Sequence, residues 1–283
     1  MSNEEKIDSR SYESYLKSPY LSIKQSTYFD VYDKLFSKFI DKEIIFIEVG
    51  VLEGGSLFMW RDYFGNKARI IGVDLNPEAK KWEKDGFEIF IGDQSSEKFW
   101  KETLDKIGKI DIVLDDGGHT FEQQIMTTES TIPYIKEGGI IVVEDCCTSY
   151  MKNFGLRTLS FINYAKKMVD NINKRYVEFD KKKSEKRVWS VQFFESIVAF
   201  HFNSFAMKVE SKRTSNHKEE ILVSDFRYNS YPLIIDELEK LSKKRNLKGF
   251  KIIIRLLRKL LFNLYHVRRY FLLKKYLKSK NII

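Results

Sequence analysis

The sequence predicts an α/β fold in which a largely parallel sheet is covered by helices on both faces. Three observations predict it. Five short runs rich in Ile, Val and Phe recur between residues 44 and 146. Helical stretches of roughly 10–15 residues separate them. Each run ends at a glycine or an acid, at the edge where open α/β sheets bind ligands. Parallel strands are buried on both faces, so they read as apolar runs rather than as alternating ones.

The elements follow in order. Residues 10–40 place Tyr12, Tyr15, Leu16, Tyr20, Tyr28, Tyr32, Leu35, Phe36 and Ile40 at mostly helical spacing, predicting short helices ahead of the first strand. IIFIEVG (44–50) is a strand stopped by glycine, SLFMWRDYFG (56–65) a helix, RIIGVDL (69–75) a strand and NPEAKKWEKDG (76–86) a helix. FEIFIGD (87–93) is a strand, and SSEKFWKETLDKIG (95–108) a helix with a serine cap and an acid close behind. KIDIVLDD (109–116), TFEQQIMTTESTIPYI (120–135) and GGIIVVEDC (138–146) read as strand, helix and strand. Beyond Tyr150 the pattern changes. A helix is predicted around 157–176, then the basic run DKKKSEKR, then a hairpin of SIVAFHF (196–202) and FAMKVES (205–211) turning at Asn203-Ser204. Residues 212–230 read as a polar loop and YPLIIDELEKLSKK as a helix.

Charge is divided unevenly. Fifteen of the 49 Lys and Arg residues, and none of the 40 acids, lie in residues 240–283, leaving 34 basic against 40 acidic residues before them. A mildly acidic body with a strongly basic tail points to a separate role for the tail. Cys146 and Cys147 are the only cysteines and are adjacent, which predicts two small core residues in a reduced setting. The polar N-terminus does not read as a signal peptide, and no run is apolar enough to read as a membrane span. Cytoplasmic placement follows as the expectation, with the tail at the inner face of the membrane.

In IEVGVLEGGSL, Gly50 is followed, after three intervening residues, by Gly54, Gly55 and Ser56, at the start of a helix. Such a loop allows close backbone approach and offers free N–H groups to an anion. The spacing differs from the G-x-G-x-x-G of dinucleotide binders, which argues against the rival reading of a nucleotide-dependent oxidoreductase. Asp74 ends the second strand, where an acid can hold ribose hydroxyls, and Gly92-Asp93 end the third.

LDDGGHTFEQQ (114–124) poses a sharper question, because adjacent aspartates end a buried strand and must be compensated. Glu144-Asp145 end the next strand, so four acids are expected at one edge of the site, with no other compensating partner evident. Asp116, Glu144 and Asp145 would suit a hard divalent cation, Mg²⁺ or Mn²⁺. His119 would then take the proton of a metal-bound hydroxyl. His201 reads as a strand histidine, and Trp60, Tyr63 and Phe64 as helix core.

The segments Glu48-Val-Gly50-Val-Leu-Glu-Gly54-Gly-Ser56, Asp74 and Gly92-Asp93 resemble the cofactor signature of class I S-adenosylmethionine methyltransferases. The resemblance implies a Rossmann-like seven-stranded sheet whose last strand is antiparallel. It also implies S-adenosylmethionine as cofactor, with Gly50, Gly54 and Ser56 against the methionine part, Asp74 on the ribose and Asp93 near the adenine. Glu48 and Asp115 are counted with the same cofactor set. GGSLFMWRDYF, IIGVDLNP, VLDDGGHTFEQQ and VVEDCCTSY resemble the metal-dependent O-methyltransferases. The similarity is closest to enzymes of macrolide and rhamnosyl sugars and of cephalosporin biosynthesis, and it spans residues 22–211. Histidine at the base position favours the sugar-modifying group, and that group's acid near the metal would fall at Asp33.

The tail, KGFKIIIRLLRKLLFNLYHVRRYFLLKKYLKSK, repeats apolar residues at Ile253, Leu257, Leu260, Leu264, Val267 and Phe271. Lys251, Arg255, Arg258, Lys259, Arg269 and Lys278 lie largely away from that line, as in a basic amphipathic helix on an anionic membrane. The expected divisions are an N-terminal helical segment (1–42), an S-adenosylmethionine-binding domain (43–240) and the basic tail (241–283). The expected activity is methylation of a sugar hydroxyl on a glycan or small-molecule acceptor. No nucleic-acid motif is present; a homo-oligomer is left open, and a non-catalytic membrane adaptor on the same fold is the rival from another class.

Overall fold

The structure, a computed structural model, describes residues 8–174, 188–209, 214, 216 and 248–282. The predicted loop at 212–230 lies almost wholly outside the described residues. The basic run at 180–187 and the predicted helix in 231–244 lie outside them altogether. The chain divides into two units, Met1–Lys212 and Arg213–Ile283.

In the first unit, β1 (Ile45–Val49), β2 (Arg69–Asp74), β3 (Glu88–Ile91), β4 (Ile110–Asp115), β5 (Ile135–Val143), β6 (Val188–Phe193) and β7 (Val198–Phe202) form one seven-stranded sheet. Its order is β3-β2-β1-β4-β5-β7-β6. The first five strands are mutually parallel, and β7 runs antiparallel to both β5 and β6. The order reverses beside β1, so β1 and β4 carry the topological switch point where ligands enter such sheets.

The helices are α1 (Arg10–Lys17), α2 (Tyr28–Phe36), α3 (Gly55–Phe64), α4 (Glu97–Ile107), α5 (Phe121–Thr131), α6 (Phe161–Asn173) and α7 (Ser204–Lys208). Segment Pro77–Asp85 winds as a 3₁₀ helix, opened by Asn76 accepting from the Glu78 amide. Two apolar layers flank the sheet. One packs Tyr32, Phe36, Phe46, Trp60 and Phe64 together; the other packs Trp100, Leu104, Val113, Ile141, Phe161 and Phe200. Trp60, Tyr63 and Phe64 are wholly buried, as core residues should be, and Cys146 is buried while Cys147 is half-buried.

The antiparallel hairpin is present, but it is built from other residues than expected. It joins β6 to β7 through the turn at 194–197, where Ser196 takes a positive φ of 62°. Asn203 does not turn the chain into a further strand. Its side chain accepts from the Ala206 amide at 2.8 Å and caps α7, because asparagine can serve either role.

In the second unit, α8 (Lys248–Ser279) is a helix of 32 residues. Ile253, Leu257, Leu260, Leu264, Val267 and Phe271 are all exposed along it. The apolar line stops there, since Lys274, Lys275 and Lys278 follow Phe271 at i+3, i+4 and i+7. Among the described residues, no helix is long and apolar enough to cross a membrane.

Candidate active site

The loops after β1, β2, β3 and β4 enclose a cavity of about 540 Å³, within the ~300–1,000 Å³ typical of small-molecule sites. Ladder bonds continue past the strand ends and fix these loops. The Gly50 amide donates to Val73, Gly92 to Asp74, Asp116 to Val49 and Glu144 to Asp115, all at 2.8–2.9 Å. Gly50 has a φ of +90°, and a Cβ there would sit 2.1 Å from the Asp116 carbonyl oxygen. Only glycine lets the first loop pass so close to the DDGG turn.

Of the residues expected in the site, Gly50, Ser56, Asp74, Asp93, Asp116, His119 and Asp145 line this cavity. Asp74 braces the glycine loop: Oδ2 accepts from the Val51 and Leu52 amides, and Oδ1 from Asn76. Asp93 is exposed, with Oδ1 accepting from both the amide and the hydroxyl of Ser95.

Glu48, Gly54, Asp115 and Glu144 lie outside the lining. Glu48 is wholly buried and accepts from the Ser56 hydroxyl (2.7 Å) and the Trp60 indole (3.0 Å), anchoring α3. Burial pushes its carboxyl up to about 7, against the opposing pull of Lys24. Gly54 lies against the Trp82 ring. Asp115 is buried beneath the turn, accepting from Gln94 (3.0 Å) and the Gly117 amide (3.2 Å), and burial raises it to about 6. Asp33, the expected further acid, accepts instead from the Ser11 amide at 3.1 Å, at the start of α1.

Compensation of the acids differs most from expectation. Lys24, in the connection between α1 and α2, has a side chain only 1% exposed. Its Nζ lies 2.7 Å from Asp116 Oδ2, 3.1 Å from Glu144 Oε2 and 3.8 Å from Glu48 Oε1. Burial alone would discharge this lysine, but the three carboxylates outweigh it and hold its pKa above the ordinary value. The second oxygen of Glu144 accepts from the Tyr32 phenol at 2.6 Å. Burial raises Glu144 above the usual carboxylate range, with Lys24 opposing.

The remaining oxygens converge. Tyr28 donates to Asp145 Oδ1 at 2.7 Å, leaving Oδ2 free to lie 3.4 Å from His119 Nε2. Asp116 Oδ1 lies 4.0 Å from the same nitrogen. Asp116, His119 and Asp145 each offer an atom within 4.8 Å of the others, as a divalent-cation site requires. His119 and Asp145 both hold left-handed backbone, with φ of 58° and 51°, of the kind that concentrates at functional sites. The Thr148 hydroxyl donates to the His119 carbonyl and supports that turn. The Nδ1 atom of His119 is buried without a partner.

Residues 47–146 match the family described as Methyltransferase domain. The matched stretch runs from within β1 to just past β5 and holds the eleven catalytic, cofactor and metal candidates, with Asp33 outside it. A curated relative is 28% identical over 202 residues, covering 68% of this chain and 52% of its own length. It is the 8-demethyl-8-alpha-L-rhamnosyl tetracenomycin-C 2'-O-methyltransferase of Streptomyces olivaceus. Mycinamicin VI 2''-O-methyltransferase of Micromonospora griseorubida is 30% identical over 131 residues, covering 44% of this chain and 32% of its own. Among solved structures, the MycE methyltransferase of the mycinamycin pathway, determined with Mg and SAH, superposes with a TM-score of 0.61 at 23% identity. That match covers 69% of this chain and 54% of MycE, and shows that the matched part shares its fold. The chain spans about half the length of the first of these relatives.

Proposed function

We propose that this chain is an S-adenosylmethionine-dependent, divalent-metal-dependent O-methyltransferase acting on a sugar hydroxyl. The acceptor is a glycoside, either a natural product or a lipid-linked or surface-polysaccharide precursor. The observation that carries the reading is the convergence of Asp116 Oδ1, Asp145 Oδ2 and His119 Nε2 at the wall of the cavity that Gly50 and Asp74 shape. Relatives named for methylating rhamnosyl and macrolide sugars support the acceptor class.

The two carboxylates fit Mg²⁺ or Mn²⁺: hard oxygens, with an open side toward the cavity and His119 beside them. When bound, S-adenosylmethionine supplies an electrophilic methyl group and the cation lowers the pKa of the acceptor hydroxyl. Asp74 would hold the ribose, and the glycine loop would lie against the methionine part. Asp116 and Asp145 would hold the cation. His119 Nε2 would take the proton of the acceptor hydroxyl, and the cofactor would supply the methyl group to that oxygen and leave as S-adenosylhomocysteine. Positioning and charge supply most of the rate. A non-catalytic adaptor would have no use for an imidazole held in left-handed backbone between two carboxylates.

The tail supports a second element of the proposal. The α8 helix exposes Ile253, Leu257, Leu260, Leu264 and Phe271 among basic residues without one acid. Such a helix suits an anionic membrane surface and would bring the enzyme to membrane-borne acceptors.

The test is transfer of a trideuterated methyl group. Incubation with labelled S-adenosylmethionine, Mg²⁺ and a panel of rhamnosides and other glycosides should add the label to one sugar oxygen, and EDTA should abolish it. Full transfer after rigorous chelation would remove the metal from the reading; labelled protein or nucleic acid instead of glycoside would remove the acceptor class.

A further inference from the structure

The segment between α1 and α2 straps the site together. The Ser18 hydroxyl donates to the Gly55 carbonyl at 2.7 Å, and Tyr15 donates to the Ser22 carbonyl at 3.0 Å. The strap lies so close to the start of α3 that a Cβ on Gly55 would meet the Tyr20 and Leu21 carbonyl oxygens at 2.3 and 2.5 Å. Leu21, Ser22 and Ile23 line the cavity, and Lys24 then turns inward beneath the acids.

The ammonium divides the carboxylate oxygens into two sets. On its own side are Glu48 Oε1, Glu144 Oε2 and Asp116 Oδ2. The rest of Glu48 and Glu144 is taken up by Ser56, Trp60 and Tyr32. On the far side, among the described residues, only Asp116 Oδ1 and Asp145 Oδ2 face His119. A fixed positive charge shares Asp116 with whatever cation binds there, and so repels it.

We infer that Lys24 is a positioning residue of the proposed transfer: it withdraws Glu144 from the metal, orients Asp116, and confines a weakly held divalent cation to Asp116 and Asp145, leaving His119 for the acceptor's proton. This rests on the metal-dependent reading above. The arrangement gives Glu144, expected from the sequence to be a ligand, the job of seating Lys24. Weak, confined binding leaves room for the acceptor hydroxyl in the cation's shell, where a tighter, more enclosed carboxylate cage would fill it.

Calorimetric titration of the full chain with MnCl₂ tests this, beside Lys24→Met and Lys24→Arg. Lys24→Met should bind Mn²⁺ at least about tenfold more tightly, while transfer slows at least about tenfold and S-adenosylhomocysteine affinity stays within about threefold. Lys24→Arg, which keeps the charge, should bind Mn²⁺ within about threefold of the unmodified chain. If Lys24→Met is too unstable to titrate, the rise in Tm per added Mn²⁺ gives the same comparison, and it should exceed that of the unmodified chain. Unchanged or weaker Mn²⁺ binding by Lys24→Met overturns the inference. Mn²⁺ binding by Lys24→Met alone overturns both the inference and metal dependence, since the natural chain would then hold no cation to confine; so does no binding by any of the three.

Discussion

The Tyr28 phenol donates to Oδ1 of Asp145 across 2.7 Å, joining residues 117 positions apart. This bond turns the other carboxylate oxygen toward His119. Partners of this kind orient metal-binding groups, and losing one typically costs about 10–100-fold in metal affinity or activity. Tyr28→Phe should therefore keep the fold, as the ring remains in the core, and lower Mn²⁺ affinity by about tenfold or more. Titration of the variant with Mn²⁺ checks it; an unchanged affinity would show that Asp145 needs no help from the N-terminal helices.

His119 sits where it can accept a proton or bind the cation, and substitution separates the two. His119→Ala should slow transfer by about 10²–10⁴, the usual contribution of a general base. Mn²⁺ affinity should stay within about threefold if the imidazole acts on the acceptor. A collapse of Mn²⁺ affinity in step with the rate would make His119 a ligand instead.

His201 offers a pH test remote from the site. It lies on β7 opposite Ile140 with Nε2 buried and unpartnered. Burial, with Lys38 nearby, lowers its pKa below the ordinary value near 6.5. A depressed folded-state pKa means that the stability from keeping this ring neutral is present above about 6.5. It is lost as pH falls from there through the folded value, because the unfolded chain takes up the proton first. His201→Phe should narrow the drop in Tm between pH 7.5 and pH 5, measured by calorimetry in matched ionic strength. An unaltered drop would assign the acid limb to other groups.

The basic helix makes a prediction of its own. Full-length protein should sediment with vesicles containing phosphatidylglycerol or phosphatidylserine, and less so at high salt, since exposed charges are screened while apolar contacts are not. A chain ending at residue 240 should remain in the supernatant and keep its S-adenosylhomocysteine binding, because every cavity residue precedes residue 150. Equal sedimentation of both would place membrane binding outside α8.

The strand-end residues were legible because their signals are local. A glycine after an apolar run, or an acid pair before Gly-Gly, carries its meaning within a few positions, and the sheet merely brings the ends side by side. Lys24 was not legible. In sequence it is one lysine in a polar stretch, and its partners lie 92 and 120 residues away. Tyr28 and Tyr32 read correctly as helix residues, yet the same pattern concealed that their hydroxyls reach Asp145 and Glu144. Missing Lys24 is what made the acids look uncompensated. The hairpin slipped for another reason: β6 is an edge strand, half-exposed, so VWSVQF lacks the apolar run that marks the central strands. Nor does sequence alone tell lining acids from bracing ones. Glu48 and Asp115 carry the same charge as Asp74 but face into the protein, and only the packing of Trp60 and Gln94 around them shows it.

The central claim is that the cavity between Gly50, Asp74 and the Asp116–His119 turn is a cofactor site of methyl transfer. Isothermal titration with S-adenosylhomocysteine and, separately, with NAD tests it most directly, using the unmodified chain and Asp74→Ala. S-adenosylhomocysteine should bind, and Asp74→Ala should weaken it at least about tenfold, since a hydrogen bond to a charged group contributes about 1.5–3 kcal/mol and the glycine loop loses its brace as well. NAD should give no heat of binding. Tight NAD binding, or no binding of S-adenosylhomocysteine to the folded chain, would contradict the account.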